Sequence, residues 1–261
     1  MPKILILADL HHDFWQEAGK DPLANADFSG VDLLLIAGDL SNKAHVRWKY
    51  ALAGIGQHID LSKVSLFPGN HDYYDGRLDR EDKLEAIAQG MGARFVQQHE
   101  IILGRTRLLC CTLWTDMMLG GNRGRNGAGA MERMNDYRCI RVEREHYRKL
   151  RPHHTTEVHA RHLGWLDERL STPFDGRTIV VTHHAPHPMS LAPDAEVGAA
   201  YASDLTALIK RHQPEHWFFG HTHNEASFRI GRTQFTNVSV GYPQDWVRAP
   251  RLDASWRGYV G

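Results

Sequence analysis

Ten residues of only three types stand where they could do chemistry together: Asp9 and His11, Asp39, Asn70 with His71 and Asp72, His183 with His184, and His221 with His223. Carboxylate, amide oxygen and imidazole are donors that first-row divalent metals accept, and no cysteine stands among them, which argues against a structural thiolate zinc site. In Asp9-Leu10-His11 and His221-Thr222-His223 one intervening residue lets both side chains reach the same side of an extended segment. Gly38, Gly69 and Gly220 precede three of these groups, where a missing side chain lets the backbone bend and approach bound ions. Each piece alone reads as a surface accident or an Asx turn. Their joint occurrence does not.

The elements that must hold these groups are short apolar strands. Asp9 and His11 follow Ile4 to Ala8, Asp39 follows Leu33 to Gly38, and Asn70 to Asp72 follow Leu66 to Gly69. His183 and His184 follow Ile179 to Thr182, and His221 and His223 follow Trp217 to Gly220. In an open α/β sheet the carboxyl ends of strands line the ligand crevice, so five such ends predict one shared site.

Buried strands are expected at 3–8, 31–37 and 64–67, with crossover helices at 44–57 and 80–91, a βαβ pattern. Extended pieces at 94–97, 100–103 and 107–113, with a turn at Leu103-Gly104-Arg105, make the sheet antiparallel or mixed there. Strands resume at 178–182 and 217–219, followed by a hairpin of 226–230 with 234–240 around Gly231-Arg232. Helices are expected at 156–170, capped by Thr155 or Thr156, and at 203–212. The glycine-rich stretch 120–129 reads as an exposed loop. With 261 residues, 42% of them hydrophobic, and no linker or repeat, residues 1–261 are expected to form one domain with an insertion at 115–152.

Asp9-Leu10-His11, Gly38-Asp39, Gly69-Asn70-His71-Asp72, Thr182-His183-His184 and Gly220-His221-Thr222-His223 resemble, in order, the motif series of the calcineurin-like metallophosphoesterases. The resemblance spans residues 9 to 223 and implies a four-layer α/β/β/α sandwich of two mixed sheets with flanking helices. It implies two divalent ions, Mn²⁺, Fe or Zn²⁺ with Mn²⁺ favoured. Asp9, His11 and His223 would hold one ion, Asn70, His183 and His221 the other, and Asp39 both. Two such ions bind ester oxygens and lower the pKa of a water, so that hydroxide attacks phosphorus in line. His71, next to the ligand Asn70, is placed to protonate the leaving oxygen as general acid. Asp72 is expected to orient that imidazole or to cap a turn.

Departures narrow the substrate. Gly38-Asp39 runs into Leu40-Ser41-Asn42-Lys43 without the Asp-Arg-Gly of the protein phosphatases and diadenosine tetraphosphate hydrolases. His71 stands where the lipid A pathway pyrophosphohydrolases have arginine. The remaining pattern is similar to small bacterial phosphodiesterases, including class III cyclic nucleotide enzymes, and to nucleases. A small phosphodiester or phosphomonoester is therefore expected, with substrate contacts from Trp114, Arg138 and His184. A nuclease is the alternative, supported by nine Lys or Arg against four Asp or Glu between 123 and 151. A non-catalytic scaffold is a third reading, which the complete ligand set disfavours.

The rest of the composition excludes more than it suggests. Equal numbers of basic and acidic residues, 31 each, build in no global attraction to nucleic acid or anionic lipid. Three cysteines without a CxxC form no disulfide framework and are expected in core and loops. The apolar start is too short for a membrane span or signal peptide, so a cytoplasmic protein without membrane partners is expected. Of the other histidines, His12 and His187 are expected in loops, and His153, His154, His159 and His162 in a polar helical stretch without ligand duty.

Overall fold

The computed structural model describes residues 1–192 and 195–261. The first half alternates strands and helices: β1 (Ile4–Leu7), α1 (His12–Glu17), β2 (Leu33–Ala37), α2 (Ala44–Ile55), β3 (Val64–Phe67), α3 (Glu81–Gly90) and β4 (Arg94–Phe95). The hairpin β5 (His99–Leu103) and β6 (Thr106–Cys111) follows. Then come α4 (Arg123–Arg133), α5 (Asp136–Cys139), the short strands β7 (Arg141–Val142) and β8 (Arg148–Lys149), and α6 (Pro152–Ser171). The chain ends with β9 (Arg177–Thr182), α7 (Gly198–Tyr201), α8 (Thr206–His212), β10 (His216–Phe219), β11 (Ser227–Ile230), β12 (Thr233–Asn237) and β13 (Tyr259–Val260).

The main strands form two mixed sheets. One has the order β13-β1-β2-β3-β4, parallel except for β13; the other has the order β11-β12-β10-β9-β6-β5, parallel at its centre with antiparallel edges. Strand alternation explains why they stack. Ile4, Ile6 and Ala8 of the first sheet meet Leu108, Val181 and Phe218 of the second in a core between the sheets. Leu5 and Leu7 face the other way, onto Trp15 and Trp48 of the helices. Leu109, Val180 and Trp217 pack outward on Leu166 of α6 and Ile209 of α8. Three apolar layers thus separate four layers of structure, the expected α/β/β/α sandwich. No helix among the described residues is long and apolar enough to cross a membrane.

Three local expectations need correction. The stretch 120–129 is largely helical: Asn122 caps α4 by accepting from the Arg125 N–H, and Asn126 ties it to the carbonyls of Met117 and Leu119. These tertiary bonds override the poor helix propensity of its glycines. Helix α6 starts at Pro152, with His154 Nδ1 accepting from the Arg151 N–H, while Thr155 and Thr156 lie inside its first turn. His12 opens α1 and is buried, whereas His187 caps a short turn by accepting from the Met189 N–H.

Buried histidines of α6 have structural tasks. His162 Nδ1 accepts from the Leu113 N–H, and His159 Nδ1 faces the carbonyls of Leu113 and Trp114. Burial pushes the His162 imidazole down to about 3. Glu145, His153 and His154 also lie close enough to share an ion. There, however, His154 Nδ1 accepts the Arg151 N–H, so the neutral ring carries its proton on Nε2, 2.9 Å from Glu145, and offers no lone pair.

Candidate active site

Each group identified from the sequence as a metal ligand sits just past the end of a strand, and the structure brings them together. Asp9, His11 and His223 place donor atoms within 4.8 Å of one another, as do Asp39, His183 and His221. Asp39 lies between the sets: its Oδ2 is 3.9 Å from His11 Nε2 and 3.5 Å from His183 Nε2. Asn70 Oδ1 is 3.0 Å from His183 Nε2.

The backbone is bent to make this possible. Asp9, His11, Asp39, His221 and His223 all have positive φ, between 41° and 65°, a region non-glycine residues seldom enter and one that concentrates at functional sites. Two glycines leave room for the neighbouring ligands: a Cβ on Gly38 would overlap the His183 imidazole, and one on Gly69 the Asp39 carboxylate. One oxygen of each carboxylate is occupied by the protein. Asp9 Oδ2 accepts from the His221 N–H and the Ser239 hydroxyl, and Asp39 Oδ1 from the His71 N–H. The other oxygens face imidazoles, with His223 Nε2 3.1 Å from Asp9 Oδ1.

These donors fit divalent ions. His183 gives its Nδ1–H to the Ala37 carbonyl, which leaves the Nε2 lone pair facing Asn70 Oδ1 and Asp39 Oδ2. His11 Nε2 and His223 Nε2 face each other at 3.2 Å. Asp9 Oδ1, His11 Nδ1 and His221 Nε2 are buried without hydrogen-bond partners. So many converging lone pairs call for positive charge. Burial opposes ionisation of Asp9, but the adjacent His223 holds its carboxyl well below the usual range. Likewise burial works against a charged His183, yet Asp39 lifts that imidazole to about 9, a proton on Nε2 that a bound cation would displace. Burial pushes His11 and His221 down to about 3.

His71 stands on the wall of a cleft of about 460 Å³ whose floor includes Asp39, Asn70 and His221. Its Nδ1 is 2.9 Å from Asn42 Oδ1, so the ring's partner is Asn42 and not Asp72. Asp72 accepts instead from the N–H groups of Gly69, Leu40 and Ser41 and from the Trp48 indole, tying the two ligand loops together. Burial, with the charge of Asp39, pushes its carboxyl up to about 7.

The expected substrate contacts are placed otherwise. Trp114 and His184 are buried, packed on one another with ring centroids 4.8 Å apart, and neither lines the cleft. His184 donates its Nδ1–H to the Thr112 carbonyl and lies against His221. Arg138 is exposed and turns back to the Glu132 carbonyl, because the short α5 directs Asp136 inward instead. Arg133, Met134 and Asn135 are the residues of the insertion that line the cleft.

Other residues were not found from the sequence. Asp136 accepts from Asn70 Nδ2 and from the Tyr74 hydroxyl, fixing Asn70 Oδ1 toward His183. Tyr74, Tyr201 and Tyr242 stack on His71, His221 and His11, at centroid distances of 4.4, 4.6 and 4.3 Å. None carries a local signal, since tertiary packing alone brings each ring to its histidine.

The family model of the calcineurin-like phosphoesterases matches residues 2–225, and the chain belongs to that family of phosphoric-ester hydrolases. No curated protein sequence matches it significantly. Among solved structures, the phosphopantetheinyl hydrolase of Mycobacterium tuberculosis is similar with a TM-score of 0.75 at 20% identity, over 96% of this chain and 94% of that one. TT1561 of Thermus thermophilus gives 0.51 at 14%, over 92% and 89%. The purple acid phosphatase PPD1 of yellow lupin gives 0.52 at 13%, over 91% of this chain but 43% of that one. At such identities these likenesses speak for the shared fold.

Proposed function

We propose that the chain hydrolyses phosphodiester or phosphomonoester bonds of a small substrate at a dinuclear metal centre. The observation that carries this reading is the pair of donor sets meeting at Asp39 beneath a cleft walled by His71. Asp9, His11 and His223 would hold one ion, Asn70, His183 and His221 the other, with Asp39 reaching both. When bound, the ions supply charge neutralisation for the phosphate oxygens and activation of water. His71 gives its Nδ1–H to Asn42 Oδ1 and, as the imidazolium, would pass its Nε2 proton to the leaving oxygen. The stacked tyrosines limit rotation of three imidazoles, and Arg133 offers a cation at the rim.

A small ester is favoured over nucleic acid because the chain carries as many acidic as basic residues, 31 each, and part of the charge around the insertion is paired. Arg144 pairs with Glu157, Arg133 with Glu196, and Arg77 and Arg80 reach Glu143 from outside it. The test is metal analysis of the purified protein, followed by an Mn²⁺-supplemented panel of bis-p-nitrophenyl phosphate, p-nitrophenyl phosphate, cyclic nucleotides, phosphopantetheinyl esters and single-stranded DNA. Metal-dependent hydrolysis of a small ester, lost on chelation, is expected. A chain that binds no divalent ion, or cleaves only DNA, would refute the reading.

A further inference from the structure

Beside the metal cleft lies a second cavity of about 800 Å³, walled by α4 and α7. Both helices run from one space to the other. Gly129 and Glu132 of α4 face the second cavity while Arg133 at its end lines both, and Gly198 and Ala199 of α7 face the second cavity while Tyr201 lines the cleft. The two spaces therefore share a rim, with Arg133 on it. Arg133 is half exposed and pairs with the more exposed Glu196, a contact that costs little to exchange for another anion.

The lining says what the second cavity takes. Leu119, Leu191 and Val197 supply apolar surface, and Asn126 and Asp204 supply hydrogen-bonding groups. Its charged residues are Arg125 and Arg133 against Glu132, Glu196 and Asp204, a balance unsuited to a polyphosphate or a nucleic acid strand. Its volume is in the range that encloses a drug-sized organic group.

We propose that this cavity seats the organic arm of the substrate, an extended, uncharged, amphipathic chain attached to the phosphate at the metal cleft, and that Arg133, on the shared rim, exchanges Glu196 for an oxygen of that phosphate. The inference rests on the phosphoesterase reading and names its substrate class. Phosphopantetheine has an arm of this kind.

The geometry offers a plug. A Cβ built on Gly129 meets only Val197, at 3.9 Å, so a larger side chain fits locally and fills the cavity, in a helix that tolerates it better than glycine. Two substrates with the same leaving group are compared on the Mn²⁺-loaded full chain: bis-p-nitrophenyl phosphate and the p-nitrophenyl ester of 4′-phosphopantetheine. In Gly129→Leu, with an unchanged melting temperature, the ratio of kcat/KM for the pantetheinyl ester to that for the compact ester is expected to fall at least tenfold. Arg133→Ala is expected to lower kcat/KM for both esters alike, because they share the phosphate it meets, and Arg133→Lys to restore part of that loss. Calorimetric binding of 4′-phosphopantetheine, expected to weaken tenfold in Gly129→Leu, reads the cavity without turnover. A ratio within threefold of the parent in Gly129→Leu, with unchanged binding, overturns the subsite and leaves the phosphoesterase reading standing, and unchanged rates in Arg133→Ala overturn the arginine's contact. A parent that cleaves neither ester overturns both.

Discussion

The cradle of strand ends and the inserted segment 114–152 meet across one cleft, yet they are built on different terms. In the cradle each ligand is aimed by main chain: Asp9 N–H to the Gly38 carbonyl, His11 N–H to the Asp39 carbonyl and Gly220 N–H to the His183 carbonyl lock neighbouring strand ends to one another. In the insertion, backbone bonds of Cys139 and Arg141 to Asp75, Gly76 and Leu78 anchor the segment to one side of the cleft, while its link to Asn70 and Tyr74 is a carboxylate, Asp136. Backbone ladders hold positions to within the tolerance that chemistry needs, whereas side-chain links can be exchanged without unmaking the sheets.

The largest expected effect lies in the cradle. Asp39→Asn removes the charge common to both donor sets and should cost at least about 10³-fold in kcat, the equivalent of several kcal/mol of electrostatic stabilisation, together with bound metal. Mass-spectrometric metal counts and steady-state rates check it, and a variant with two ions and normal turnover would break the distinction at its root. Next comes His71→Ala, expected to keep its metal but lose roughly 10²- to 10⁴-fold, less on nitrophenyl esters than on alkyl esters. Equal losses on both would remove the proton-donor role.

Across the junction the effect should shrink. Asp136→Ala frees the Asn70 amide and is expected to weaken metal affinity about 10- to 100-fold, as loss of a residue orienting a ligand does, which Mn²⁺ titration reads. If affinity is unchanged, the insertion is coupled to the cradle more loosely than this contact implies. Farthest from the cleft, a pH slope is expected at α6, beneath the insertion, where the readout is stability and not activity. The folded His162 refuses a proton until about pH 3, while the unfolded chain accepts one near 6.5. Its stabilising contribution is therefore present above pH 6.5 and lost as pH falls toward 3, by up to about 1.4 kcal/mol per pH unit. His162→Gln should flatten the dependence of urea midpoints between pH 6 and 4, and an unchanged slope would show that other groups carry the acid sensitivity.

The same division governs what could be read in advance. Ile4 to Leu7 and Leu33 to Ala37 are apolar on every residue because both faces are covered, so the polar residue that follows each marks a strand end from sequence alone. The insertion obeys no such rule. Helix α4 contains Gly124, Gly127 and Gly129, and it rests on the Asn122 cap, on Asn126 reaching back to Met117, and on the close approach of Pro152 to Gly127, the last a contact that no local window contains. The sequence singles out Arg138, and only the course of α5 shows that it turns away while Arg133 lines the cleft. His154, His159 and His162 looked polar in sequence, and only the burial of α6 against residues 113–114 shows them as internal hydrogen-bonding groups.

The shelf under Asp9 is made by the far end of the chain. Ser239 gives its hydroxyl to Asp9, the Gly241 N–H binds the Asp9 carbonyl, and Tyr242 stacks on His11. The Trp256 indole reaches the Ile6 carbonyl across 250 residues of sequence, and β13 then pairs with β1. At synthesis rates of about 5–20 residues per second, the first strand waits roughly 12–50 s on the ribosome for these partners. On the proposed function, metal capture is a late event in the birth of the molecule. A nascent chain cut before residue 237 would carry every proposed ligand and still lack the surface on which Asp9 rests.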